Sequence, residues 1–192
     1  MDITATEYAQ GRKQLKQFLS CFRELPGLRR NNLVENKFDA YLSECAKLKV
    51  APRMHAIVNR RGPRSSIQAD ARLIGDTYAN ALGAGLQHTK ALHKLSLARN
   101  ALSDKGIKKI LGALTPELLE LDLSLNPALG RETYEKIAYW LGSPSTRLNV
   151  LKLHGNGAGD KLPELLTSPL LGHGTLRLLD IGGNKITDVG AE

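Results

Sequence analysis

Nine residues recur four times in the second half of this chain, and no other feature restricts its fold as much. They read LHKLSLARN from Leu92, LLELDLSLN from Leu118, LNVLKLHGN from Leu148 and LRLLDIGGN from Leu176, each obeying L-x-x-L-x-L/I-x-x-N. The asparagines fall at Asn100, Asn126, Asn156 and Asn184, a spacing of 26, 30 and 28 residues. A period of this size marks a stacked array, in which no single unit buries its apolar face alone.

Each position has a physical task. Side chains alternate across a strand, so Leu95 and Leu97, Leu121 and Leu123, Leu151 and Leu153, and Leu179 and Ile181 point to the core while their neighbours face out. The asparagine stands at the turn out of the strand, where its carboxamide satisfies backbone groups that would otherwise be buried unpaired. Stacked copies predict an asparagine ladder. Between asparagines the period changes to 3.6: Ile107, Ile110, Leu111 and Leu114, then Tyr134, Ile137, Ala138 and Leu141, predict helices with one face on the sheet. Leu162, Leu165 and Leu166 before Pro169 predict a shorter third helix. A degenerate first copy is expected in SSIQADARLIGDTYANALGAGL, with Ile67 laid on Leu97, Asp70 on Asn100 and a helical face of Ile74, Tyr78, Ala81, Leu82 and Leu86.

Strand, turn, helix and return resemble the leucine-rich repeat, and the length with a true helix resembles its ribonuclease-inhibitor-like subfamily. The resemblance covers residues 67–192 and implies an α/β solenoid, with a curved parallel sheet on the concave side, helices on the convex side and an N-terminal helical cap. The expected organisation is a basic helical segment at 1–50, a basic junction loop at 51–66, and repeats from 67 to 192, one degenerate and four recognisable, the last incomplete.

Charge follows this division. Residues 1–66 hold 13 Lys/Arg and 6 Asp/Glu, a net of +7, whereas residues 67–192 hold 14 and 13. Leu15, Phe18, Leu19 and Phe22 share one helical face before Pro26-Gly27; Phe38, Tyr41, Leu42, Cys45 and Leu48 share a second after Asn31 and Asn32. A solenoid needs its first repeat covered, and these helices are the expected cover. Residues 12–25 also have the basic, amphipathic and aromatic character of a calmodulin-type target, although Pro26 interrupts the spacing. In NRRGPRSS, arginines upstream of Ser65 and Ser66 suit a basophilic kinase, with a solvated loop as the plain alternative.

The sequence carries no motif for other chemistry. HGNGAGDK, His154 to Lys161, lacks the G-K-S/T of a phosphate loop, and its glycines are read as turn formers. His55, His88, His93, His154 and His173 form no i, i+4 pair, so no metal or other cofactor is expected. Nothing argues for an enzyme, and no G-x-S-x-G is present. Cys21 and Cys45 fit no zinc spacing and are read as free thiols of a reducing compartment. With no apolar signal core and no stretch long enough to span a bilayer, the expectation is a soluble cytoplasmic protein with no membrane partner; the resemblance adds possible cytoskeletal or ciliary association.

A partner protein is expected on the concave face, whose candidate residues are Lys94, Ser96, Arg99, Glu120, Asp122, Lys152, His154 and Asp180. Lys152 is read either as neutralised in the sheet between Asp122 and Asp180 or as one of three charges in a partner site. No aromatic residue stands in these columns, which weakens them as a hot spot. Trp140 is read as equally suited to a side contact and to the core. A non-enzymatic interaction module, scaffold or adaptor is the leading function. The alternatives are an enzyme regulator, similar to activators of Ran-type GTPases or inhibitors of ribonucleases, and calmodulin binding through residues 12–25. Nucleic-acid binding through the basic segment lacks any accompanying motif. NKITDVGAE repeats the opening of the turn and helix after Asn100, so the last repeat is expected to leave an open edge. That edge predicts a longer repeat protein or a covering chain, and self-association or poor solubility of residues 1–192 alone.

Overall fold

A computed structural model describes residues 37–52, 65–89 and 91–191. Five three-residue strands form one parallel sheet in sequential order: β1 (Ser66–Gln68), β2 (Lys94–Ser96), β3 (Glu120–Asp122), β4 (Val150–Lys152) and β5 (Leu178–Asp180). A helix α1 (Lys37–Lys47) precedes them. The crossovers carry α2 (Gly75–Leu86), α3 (Asp104–Leu111), α4 (Arg131–Leu141) and α5 (Lys161–Leu171), and α6 (Asp188–Ala191) follows β5. Parallel neighbours require a crossover of this kind, so strand and helix alternate as a direct consequence of the repeat.

The leucine pattern does what its spacing requires. Leu95, Leu121 and Leu151 align across the sheet and are fully buried, as are Leu97, Leu123 and Leu153. Each such side chain contributes about 2 kcal/mol over its exposed state. Ile107, Ile110, Tyr134, Ile137, Leu141, Leu162 and Leu166 close the core from the helix side. Leu179 and Ile181 are only half-buried, because no sixth strand covers them among the described residues.

The asparagine ladder runs in one direction. Asn126 Oδ1 accepts the N–H groups of Asn100 and Leu102 at 3.0 and 3.1 Å, while its Nδ2 donates to the carbonyls of Leu97, Leu123 and Ser124. Asn100 receives Arg72 and Ile74, and Asn184 receives Asn156 and Ala158, in the same way. Each asparagine therefore holds the turn of the repeat before it. The residue preceding the ladder position has positive φ in every repeat: Ala71, Arg99, Leu125, Gly155 and Gly183. At Gly155 an added Cβ would also stand 2.6 Å from Leu125 Cδ2, which accounts for a glycine there without any nucleotide.

A second relay joins the helix starts. The Asp76 carboxylate accepts Ser103 N–H and Oγ–H, Asp104 accepts Gly130 N–H and the Thr133 hydroxyl, and Asp160 accepts Thr187 N–H and Oγ–H. Backbone N–H first, then the hydroxyl of Thr187, holds Asp160 below the ordinary aspartate range. Arg131 stands where the third repeat would carry its aspartate. That repeat also has one extra residue in its turn: Asn156 Oδ1 accepts Asn126 N–H at 2.7 Å, and the buried Asn156 Nδ2 has no partner.

Three expectations are corrected. Ile67 pairs with Leu95 rather than Leu97, which puts Arg72, not Asp70, at the first ladder position; Asp70 instead accepts from the Ser96 hydroxyl and Ala98 N–H on the outer face. The helix with Pro169 is not short: α5 has 11 residues, as α4 has. The helix continues through Pro169 to Leu171 at the cost of the one hydrogen bond that the proline nitrogen cannot donate, while Leu162 and Leu166 anchor the buried face. Lys152, on the concave side, departs from its expected pairing as well.

Helix α1 packs along α2, burying Tyr41, Leu42 and Cys45 against Ala81. Glu44 reaches over α2 to Lys109 of α3, and the hydrogen bond from Lys109 holds its carboxyl below the ordinary glutamate range. Cys45 is a free thiol pushed up by burial. The Phe38 side chain, Cys21, Asn31, Asn32, His55, the helix expected at 12–25 and the arginines before Ser65 lie outside the described residues.

Candidate protein-interaction face

On the concave side, side chains between the buried leucines form columns across the five strands. The first column is Ser66, Lys94, Glu120, Val150 and Leu178, and the second is Gln68, Ser96, Asp122, Lys152 and Asp180. The columns are legible from the nonapeptide; the pairing within them is not. Lys94 Nζ lies 2.9 Å from the Glu120 carboxylate directly opposite. Lys152 Nζ crosses the diagonal to the same carboxylate, at 3.5 Å. Lys152 is thus not neutralised by Asp122 and Asp180, although it lies between them in register. Its long stem lets it share the partly buried Glu120 rather than the two aspartates, whose Oδ1 atoms each accept a backbone N–H two residues on, from Ser124 and Gly182 at 3.0 Å.

Partial burial pushes the Glu120 carboxyl up, but the hydrogen bond and charge of Lys94, with Lys152 behind them, outweigh it and hold the group below the ordinary glutamate range. A depressed carboxyl contributes stability that is present above the unfolded pKa and lost as pH falls through the folded one. Acidification from about pH 5 to about pH 3 should therefore weaken the wild type more steeply than Glu120→Gln. Parallel urea midpoints for the two proteins across that window would show that the paired charges contribute nothing.

His154 and Asp180 mark the β5 end, with Nδ1 3.4 Å from Oδ1. The His154 ring lies over Gly182 and Gly183: a Cβ on Gly183 would come within 3.0 Å of its Nε2. The pair of glycines in the last repeat therefore makes room for this imidazole. Arg99 is exposed at its positive-φ turn, whereas Ser96 is buried beneath Asp70 and offers little to a partner. Ser65 is exposed immediately before β1, and its carbonyl accepts the N–H groups of His93 and Lys94. Ser66 is already in the strand.

Away from this face, Trp140 packs half-buried on the core and, with the exposed Tyr139, Pro144, Pro169 and His173, lines an open groove of about 1250 Å³ beside the C-terminal ends of the helices. His173 Nδ1 accepts Leu176 N–H. Among the described residues, no cluster of His, Cys, Asp and Glu has metal-holding geometry, and no helix is long and apolar enough to cross a membrane.

The Leucine Rich repeat family model matches residues 91–111 and 175–192, which contain β2 with α3 and β5 with α6. The chain carries leucine-rich repeats. Leucine-rich repeat-containing protein 73 of Rattus norvegicus and that of Homo sapiens are each 32% identical to it over 107 residues, covering 53% of this chain and 34% of the relative. The leucine-rich repeat chain thus spans about a third of the length of these curated relatives. The matches carry the repeat class; the ribonuclease-inhibitor-like subfamily rests on repeat length and true helices alone. The Asp76, Asp104 and Asp160 relay had a sequence signal that the leucine reading passed over, an aspartate four residues after Arg72, Asn100 and Asn156.

Proposed function

We propose that this leucine-rich repeat chain is a non-enzymatic protein-interaction module that holds a partner protein across its concave strands, in a scaffold or adaptor role. The observation that carries the reading is the charge arrangement on that face. Glu120 takes both Lys94 and Lys152, which leaves Asp122 and Asp180 facing outward beside the apolar Val150 and the 44 % exposed Leu178. A partner that brings a cationic group to the aspartates and an apolar side chain to Val150 and Leu178 would be complementary to this surface in both respects. The backbone beneath is fixed by the ladder, so binding orders few main-chain atoms. A reducing cytoplasmic location is part of the proposal, in keeping with the free, buried Cys45.

Asp122→Arg tests it, because the new charge stands in mid-face. Partner affinity should fall about tenfold or more, with the far-ultraviolet circular dichroism unchanged, while Lys108→Glu on the opposite, helical side should leave it alone. Equal affinity for the Asp122→Arg protein and the wild type would remove the concave face from the proposal.

A further inference from the structure

We propose that the groove lined by Tyr139, Trp140, Pro144 and Pro169 binds a proline-rich segment of a partner protein, held in the extended polyproline conformation with a carboxylate beside Lys136. The groove lies at the C-terminal ends of α3, α4 and α5, away from the concave strands, so it is a second surface. At about 1250 Å³ it is larger than the roughly 300–1000 Å³ of small-molecule sites, which points to a peptide.

Apolar surface supplies the first argument. Leu111, Leu114 and Trp140 line the groove and pack partly buried on the core. Tyr139, next to Trp140 on α4, adds a ring that is 88 % exposed. Pyrrolidine rings pack flat on aromatic faces of this kind, and a segment already extended loses little chain entropy on binding.

Polar groups then select among apolar occupants. The Trp140 carbonyl already accepts the N–H groups of Gly142 and Ser143 and the Thr146 hydroxyl, and the Leu170 carbonyl accepts those of Gly172 and His173. Donors are left over instead. The Trp140 indole N–H donates to none of the described residues. His173 Nδ1 accepts Leu176 N–H at 3.1 Å, which leaves its proton on a buried Nε2 without an acceptor. No Asp, Glu, Asn or Gln lines the groove. An occupant that suits it brings carbonyls and few N–H groups. A helix spends its carbonyls on itself, and an ordinary extended peptide brings an N–H with every carbonyl. Proline has the carbonyl alone, and the polyproline chain makes no internal hydrogen bonds.

Charge fixes one further feature. Lys136 is the formally charged residue of the lining, and Glu135 beside it in sequence pairs with Arg131. A carboxylate on the peptide is therefore the complement that the groove lacks.

Trp140 is the only tryptophan of the chain, so its emission reports on this site. Titrating the full chain with a synthetic oligoproline peptide that carries one glutamate should change that emission saturably. The same peptide with lysine in place of glutamate should bind about threefold more weakly, and Lys136→Glu should invert the order. Tyr139→Ala, at an exposed position, should weaken binding about tenfold or more with the circular dichroism unchanged. No saturable change, an equal response to a glycine-serine peptide of the same length and charge, or undiminished binding by Tyr139→Ala overturns the proposal. Binding of an amphipathic helical peptide in place of oligoproline overturns it in favour of an apolar helix.

Discussion

Asn126→Ala is expected to lower the free energy of unfolding by about 4 kcal/mol, against about 1 kcal/mol for Asn184→Ala. The chemistry removed is the same, so the difference comes from position. Asn126 is fully buried between two repeats, and its loss strips partners from Asn100 and Leu102 N–H and from the carbonyls of Leu97, Leu123 and Ser124. Neither water nor a rotated neighbour reaches those groups without opening the core, and each unpaired buried group costs about 1–3 kcal/mol. Asn184 is half-buried at the open face, where water takes over part of its bonding. Urea denaturation of the three proteins reads both values. A loss below about 1.5 kcal/mol at Asn126, or equal losses at the two sites, would mean that the leucine packing holds the turns without the carboxamides.

Gly83→Ala should destabilise by about 3 kcal/mol, the reverse of its effect at an exposed helical site, where alanine gains about 1 kcal/mol over glycine. At Gly83 the new methyl would stand 2.7 Å from Lys109 Cβ, 2.8 Å from the Lys109 carbonyl carbon and 3.0 Å from Ile110 N. Two of these atoms are backbone, so no side-chain rotation relieves the contact, and α2 and α3 must move apart. Their separation also disturbs the Glu44 bridge from α1 to Lys109. A thermal melt of the variant at or above that of the wild type would show that the two helices have slack at this crossing.

The leucines, the asparagine ladder and the alternation of strand and helix were legible because each obeys a spacing rule set by backbone geometry. Elements without such a rule were less so. Asp70 resembles a ladder asparagine in size and polarity, so the first repeat was read two residues out of register; the strand partner of Ile67 decides the matter, and no one-dimensional pattern contains it. Pro169 lies inside the helix, which ends soon after it at Leu171, so the proline marks a nearby end and not the length of the helix. The concave columns follow from alternation, which is why the candidate residues share one face. Which carboxylate Lys152 chooses depends on the reach of a four-carbon stem and on what Asp122 and Asp180 already accept. The aspartate relay is present in the sequence as a period of polar residues, which apolar spacing rules do not contain.

The third repeat's irregular turn has a mechanical meaning. Between the third and fourth repeats the ladder lacks one N–H donor, the Asn156 amide nitrogen is unpaired and no aspartate ties one helix start to the next. In a linear stack each junction holds by its own nearest-neighbour contacts, so the array is a chain of unequal links, and this one carries the fewest ladder and aspartate hydrogen bonds among those described. It runs through the middle of the concave face, with Asp122 on one side and Lys152 on the other. The long, partly buried pair between Lys152 and Glu120 is a charged link across it. A partner gripping both sides would span the junction where the fewest side chains tie one turn to the next, and would add cross-repeat contacts of its own where the chain has least.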